Sequence, residues 1–242
     1  MDEMEQAKEA MLKLVDLETY DALMEIYQEY SKRFFHSVYR SKRAAFAELN
    51  KKARPGGIVF AGDSITEAFP IHELLRDGPP MYNRGIGGIT SGILLEYIDE
   101  QILQLKPAKV FLLIGTNDIG TYVPIEDAAG RIGQICSRVA AALPDCKIYV
   151  ESVYPVNVAV APSNVGARTN ELITRLNALI RREIENIRGA AYIDVYPGLA
   201  DGNGDLAAPY TDDGLHLNLA GYIKLISLLE PYVSATSAWF RI

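Results

Sequence analysis

The chain has 242 residues, 49% of them apolar, and a formal charge of −7. That length supports a sizeable core without help from metal or disulfides, and an acidic balance lacking any basic stripe excludes extended binding to a phosphate backbone. Cys136 and Cys146 have neither Cys-x-x-Cys nor histidine-rich spacing, so they read as reduced structural residues rather than a metal or redox site.

The opening Met1-Asp2-Glu3-Met4-Glu5 is acidic where a secretory signal is basic and then apolar, which leads us to expect a cytoplasmic protein. No apolar run reaches the roughly 18 residues that a membrane span requires. Residues 1–52 read as a helical N-terminal extension. Tyr20, Leu23, Met24, Tyr27, Tyr30, Phe34 and Val38 recur at the spacing of one helix face, with Thr19 as the N-cap. The aromatic stripe is expected to pack on the main body, with a homodimer surface as the alternative.

Arg54-Pro55-Gly56-Gly57 breaks that pattern, and residues 53–242 read as one domain. Strands are predicted at 57–61, 80–83, 109–114, 147–152 and 190–194. Helices are predicted at 91–104, 124–142, 165–187 and 218–233. Alternation of this kind, with strands rich in Val, Ile and Leu and free of polar interruption, predicts an α/β fold: a three-layer, doubly wound, five-stranded parallel sheet. In such a sheet ligands bind at the carboxyl ends of the strands, where the strand order reverses. Asp63-Ser64, Asn83 to Thr90, Gly115 to Asp118 and Tyr154 to Ser163 follow successive strands, and Asp213 with His216 precedes the last helix, so all reach one edge.

These residues carry chemistry. A serine hydroxyl needs a base to remove its proton, and an imidazole serves best when a carboxylate fixes its tautomer. Ser64, His216 and Asp213 supply the three parts, and a three-residue separation lets Asp213 reach its own neighbour while Asp212 points away. Oxyanion donors are the backbone N–H of Ser64, an N–H from the turn Gly85-Ile86-Gly87-Gly88, and the amide of Asn117. Asp63 and Asp118 read as structural carboxylates that shape their loops, and His36 and His72 as surface or core residues. The glycine turn lacks the Gly-x-Gly-x-x-Gly frame of a nucleotide loop, and Asp212, Asp213 and His216 lack the second histidine of a metal site. Neither cofactor nor metal is expected. The loop Val156 to Val165, with Tyr122 and Tyr210, is expected to shape the pockets.

Gly62-Asp63-Ser64, Asn83-Arg84-Gly85-Ile86-Gly87-Gly88, Gly115-Thr116-Asn117-Asp118 and Asp213-Gly214-Leu215-His216 occur in this order. Together they resemble the four blocks of the SGNH subgroup of the GDSL esterase/lipase family, and within it bacterial acylhydrolases similar to platelet-activating-factor acetylhydrolase catalytic subunits. The resemblance covers residues 57 to 233 and departs at Ala68, where many members carry glycine. It implies a flavodoxin-like fold, Ser64 as nucleophile, Asp213 and His216 as its partners, and Ser64, Gly88 and Asn117 as the oxyanion hole. The expected activity is hydrolysis of short, acetyl-like carboxylic esters of small molecules through an acyl-enzyme. A carbohydrate O-acetyl esterase, a lysophospholipase or thioesterase-type acyl hydrolase, and a non-catalytic binding module are the alternatives.

Overall fold

A computed structural model describes residues 9–10, 13–75 and 78–234. Strands β1 (Ile58–Gly62), β2 (Met81–Gly85), β3 (Lys109–Leu113), β4 (Lys147–Glu151) and β5 (Ala190–Ile193) pair in parallel, in the order β2-β1-β3-β4-β5. Every residue of β1 and β3 is buried, as expected of central strands covered on both faces. The chain steps from β1 outward to β2 and then back across to β3, so the order reverses between β1 and β3.

Side-chain alternation along each strand divides the core in two. Val59, Ala61, Val110, Leu112, Ile148 and Val150 face one helical layer. It is built from the end of α1 (Leu17–Asn50), from α4 (Ser91–Glu96) and α5 (Ile98–Gln101), and from α7 (Ile125–Ala142) and α9 (Asn170–Ile184). Ile58, Phe60, Phe111, Leu113 and Ile193 face the other layer. That layer contains α2 (Ser64–Glu67), α3 (Ile71–Leu74), α10 (Tyr196–Leu199) and α11 (Leu219–Ser234). The short α6 (Thr116–Gly120) and α8 (Pro162–Val165) lie in loops that follow β3 and β4.

Two helical segments depart from expectation. The 91–104 stretch divides at Tyr97 into α4, α5 and a 3-10 turn at Leu103–Leu105, and Gln101, buried by the bend, donates to the carbonyl of Arg84 at 2.8 Å. The 165–187 stretch breaks at Gly166 (φ 58°), and α9 begins only at Asn170, where the Thr169 side chain accepts from the Leu172 N–H. Apolar spacing continues through the break, but the backbone does not.

The leader is also corrected. Its N-cap is Asp16, whose carboxylate accepts from the Thr19 N–H at 2.8 Å, so Thr19 contributes backbone rather than side chain. Leu23, Tyr30 and Phe34 are exposed instead of packed on the body, together with Ile26 and Phe35. Among its described side chains, α1 enters the core from Tyr39 onward, through Tyr39, Phe46 and Asn50. There the Arg84 guanidinium stacks 4.9 Å from the Phe46 ring and donates to Asn50 Oδ1 at 2.9 Å, and Arg43 pairs with Glu100 at 3.0 Å. The Tyr27 side chain and Trp239-Phe240 lie outside the described residues.

Candidate active site

The first strand ends at Gly62, and Asp63 turns the chain into α2 by capping it. Its Oδ1 accepts from the Ile65 N–H at 3.0 Å, while its Oδ2 is buried with no partner among the described residues. Burial pushes this carboxyl up to about 7. Ser64 is therefore the first residue of a helix, with its hydroxyl at the sheet edge and its backbone N–H without an acceptor among the described residues.

Ser64 Oγ lies 2.9 Å from His216 Nε2, and His216 Nδ1 lies 2.7 Å from Asp213 Oδ2. A carboxylate bound to Nδ1 fixes the neutral tautomer in which Nε2 accepts. The other carboxylate oxygen, Oδ1, accepts from the backbone N–H groups of His216 at 2.7 Å and Leu215 at 2.9 Å. Partial burial alone would raise the Asp213 carboxyl, yet the bonds from the His216 side chain and from these two backbone groups outweigh it and hold it below the usual carboxylate range. Thr211 braces the turn by accepting from the Gly214 N–H at 2.8 Å. Gly214 has φ 76°, and a Cβ there would stand 2.3 Å from the Asn157 carbonyl oxygen, so only glycine fits. Asp212 instead accepts from Asn218 at 3.2 Å on the exposed side.

The turn after β2 supplies the second component. Glu67 of α2 accepts from the Gly87 N–H at 2.6 Å and pairs with Lys42 of α1. The next N–H, that of Gly88, has no acceptor among the described residues. Gly88 has φ 78°, and a Cβ on it would lie 3.0 Å from the Tyr39 hydroxyl, so the leader helix runs directly behind this turn.

Asn117 is the second residue of α6, after β3, and its amide is held from two sides. Nδ2 donates to the Ile89 carbonyl at 3.1 Å, and Oδ1 accepts from Arg168 at 2.9 Å. Its neighbour Asp118, fully buried, accepts from both the N–H and the hydroxyl of Ser91 at 2.8 and 2.6 Å, tying the loop after β3 to the start of α4. Asp63 and Asp118 thus act as loop braces.

The remaining pocket candidates divide. Val156 and Val165 are buried, and their loop is drawn inward by Val156 N–H donating to Asn170 at 2.9 Å and Asn157 donating to the Leu206 carbonyl at 2.8 Å. Val158 and Val160 are exposed, and Tyr122 projects outward at 83% exposure. His36 and His72, on α1 and α3, make no hydrogen bond with a site residue among those described. Cys136 and Cys146 are buried free thiols that burial pushes up to about 12. No group of three or more potential metal-binding side chains assembles among the described residues.

Sequence reasoning missed Thr211, Glu67, Asn157 and Arg168. Thr211 had a local signal, a Thr three residues before a turn glycine. The others act across gaps of 20 to 57 residues that no spacing rule spans.

The model of the GDSL-like lipase/acylhydrolase family matches residues 60–223. A solved structure from Streptococcus pneumonia, described as a platelet activating factor, is 33% identical with a TM-score of 0.83, covering 86% of this chain and 99% of its own. A GDSL-like lipase from Bacteroides thetaiotaomicron VPI-5482 is 25% identical with a TM-score of 0.69, covering 79% and 96%. Among curated proteins, the N-acylneuraminate cytidylyltransferase of Escherichia coli O18:K1:H7 is 29% identical over 226 residues, 90% of this chain but 50% of that protein, so the chain spans about half its relative's length. With its family match running from β1 into the helix Leu219–Ser234, the chain belongs to the GDSL-like lipase/acylhydrolase family.

Proposed function

We propose that this esterase works through an acyl-enzyme on Ser64 and prefers short, acetyl-like acyl groups. The observation that carries the reading is the unbroken relay from Ser64 Oγ through the His216 ring to Asp213, with contacts of 2.9 and 2.7 Å. Nε2 takes the hydroxyl proton as Oγ attacks the ester carbonyl carbon, and the imidazolium is stabilised by Asp213. Negative charge on the carbonyl oxygen is met by the N–H groups of Ser64 and Gly88 and by the amide of Asn117. Each such donor contributes about 3 kcal/mol in the transition state. Collapse of the tetrahedral intermediate expels the alkoxide, which takes the proton from His216. Water, deprotonated by the same ring, then releases the acid and regenerates Ser64.

The inward-drawn loop from Val156 to Val165 supports a short acyl group, because its apolar ends are committed to the core rather than left to line a long channel. Rates on p-nitrophenyl esters from acetate to palmitate test this, and a preference for long chains would refute it. Ser64→Ala should abolish turnover, by analogy with a loss of about a million-fold in a serine protease, and should prevent labelling by a fluorophosphonate. An unlabelled wild-type protein would instead favour a binding module.

A second reading, a carbohydrate O-acetyl esterase, is favoured by the curated relative, which by its name acts on an N-acylneuraminate. Acetate release from an O-acetylated N-acylneuraminate, at a higher kcat/KM than from aryl acetates, would select it over the general esterase.

A further inference from the structure

Asn117 can serve an oxyanion only with its nitrogen turned to the substrate. A carboxamide is nearly symmetric in shape, and rotated by half a turn it would present a lone pair to the developing negative charge. What prevents this is the residue on its far side. The Arg168 guanidinium has donors and no acceptors, and its terminal nitrogen lies 2.9 Å from Asn117 Oδ1. Its remaining contacts fix it to the same loops, through Nε to the carbonyl of Thr116 at 3.1 Å and its hydroxyl at 3.2 Å, and through the other terminal nitrogen to the carbonyl of Val165 at 3.1 Å. The opposite end of the amide gives one hydrogen to the Ile89 carbonyl, next to Gly88, at 3.1 Å. The second amide hydrogen is left for a ligand.

The surrounding backbone makes room for this arrangement. A Cβ on Gly120 would stand 2.5 Å from the guanidinium nitrogen and 2.6 Å from its central carbon, so α6 admits Arg168 only because that position is glycine. Arg168 itself lies in the segment between Gly166 and the Thr169 cap where the anticipated long helix is broken, and a continuous helix there would remove the loop that presents it.

We propose that Arg168 is a positioning residue of the esterase, which locks the Asn117 amide into its donating orientation and polarises it toward the substrate oxygen. The proposal rests on the Ser64 reading above. Lysine is no equivalent, since a single ammonium cannot span Thr116, Val165 and Asn117 as the guanidinium fork does.

The test uses p-nitrophenyl acetate with the full chain. Removal of an oxyanion donor costs about 100- to 1,000-fold in kcat, which sets the Asn117→Ala loss and the upper limit for Arg168. Arg168→Met should lower kcat by about 10- to 100-fold while KM stays within about two-fold, because the loss arises only once negative charge forms. Arg168→Lys should recover part of it. In an Asn117→Ala background Arg168→Met should add less than about three-fold, since the group it positions is already gone. Gly120→Ala, which displaces the guanidinium while leaving every charge in place, should reproduce the kcat loss and serves if Arg168→Met does not fold. Multiplying losses in the double variant, or a rise in KM alone, would overturn the proposal. Unchanged kcat in Arg168→Met beside an inactive Ser64→Ala would overturn it and leave the Ser64 reading standing, whereas an active Ser64→Ala would bring down both.

Discussion

At the scale of single residues, the site separates two kinds of carboxylate. Asp213 is held below the usual range by three hydrogen bonds, so its carboxylate is charged at neutral pH. Asp213→Asn should lower kcat by about 10,000-fold through loss of the correct tautomer. Glu151 is the opposite case. Buried under the sheet edge and accepting from Tyr154, it is pushed up to about 7 by burial. The unfolded chain releases that proton near the ordinary value of about 4.3. The folded form binds the proton more tightly, so stability falls as pH rises from about 4 to about 7, with the full penalty above. Glu151→Gln should raise Tm at pH 8 and lose its advantage near pH 4, and an equal shift at both would sink the assignment.

At the scale of elements, the helix that opens with Ser64 and the helix that begins just after His216 are joined through an aromatic stack. Phe60 packs 4.9 Å from Phe111 and 5.5 Å from Phe69, and Phe69 packs 5.2 Å from Tyr222 of α11. The Tyr222 hydroxyl donates to the Ile65 carbonyl of α2 at 2.7 Å, linking the helix that opens with Ser64 to the one that follows His216. Tyr222→Phe orphans that buried carbonyl and should cost about 1–3 kcal/mol in urea unfolding. Elements of this kind also mark the limit of what was legible. The five strands, α7, α11 and the ordered site blocks were readable because apolar runs and glycine turns are local signals. The helices α2, α3, α6, α8 and α10 were not, since segments of four or five residues show no periodicity. Arg168 was hidden for a related reason: apolar spacing persisted through a backbone break that one glycine imposes.

Across the whole molecule, the leader is divided by its packing. Its last third is core, held by Tyr39, Phe46 and the Arg84 to Asn50 contacts, while Leu23, Ile26, Tyr30 and Phe34 stand clear. A chain starting at Ser37 should melt within a few degrees of the full protein. One starting at Ala53 should lose much more, because it uncovers Arg84 and the Gly88 turn. Equal melting temperatures for the two would argue that residues 1–52 form a separable extension. Among the described residues no helix is long and apolar enough to cross a membrane.

Ser64 and His216, the proposed nucleophile and base, are 152 positions apart along the chain. A ribosome making this protein therefore releases the hydroxyl long before its proton acceptor exists. On the reading proposed above, chains lacking the helix Leu219–Ser234 and the loop before it hold the hydroxyl without its base, however well their early strands have folded.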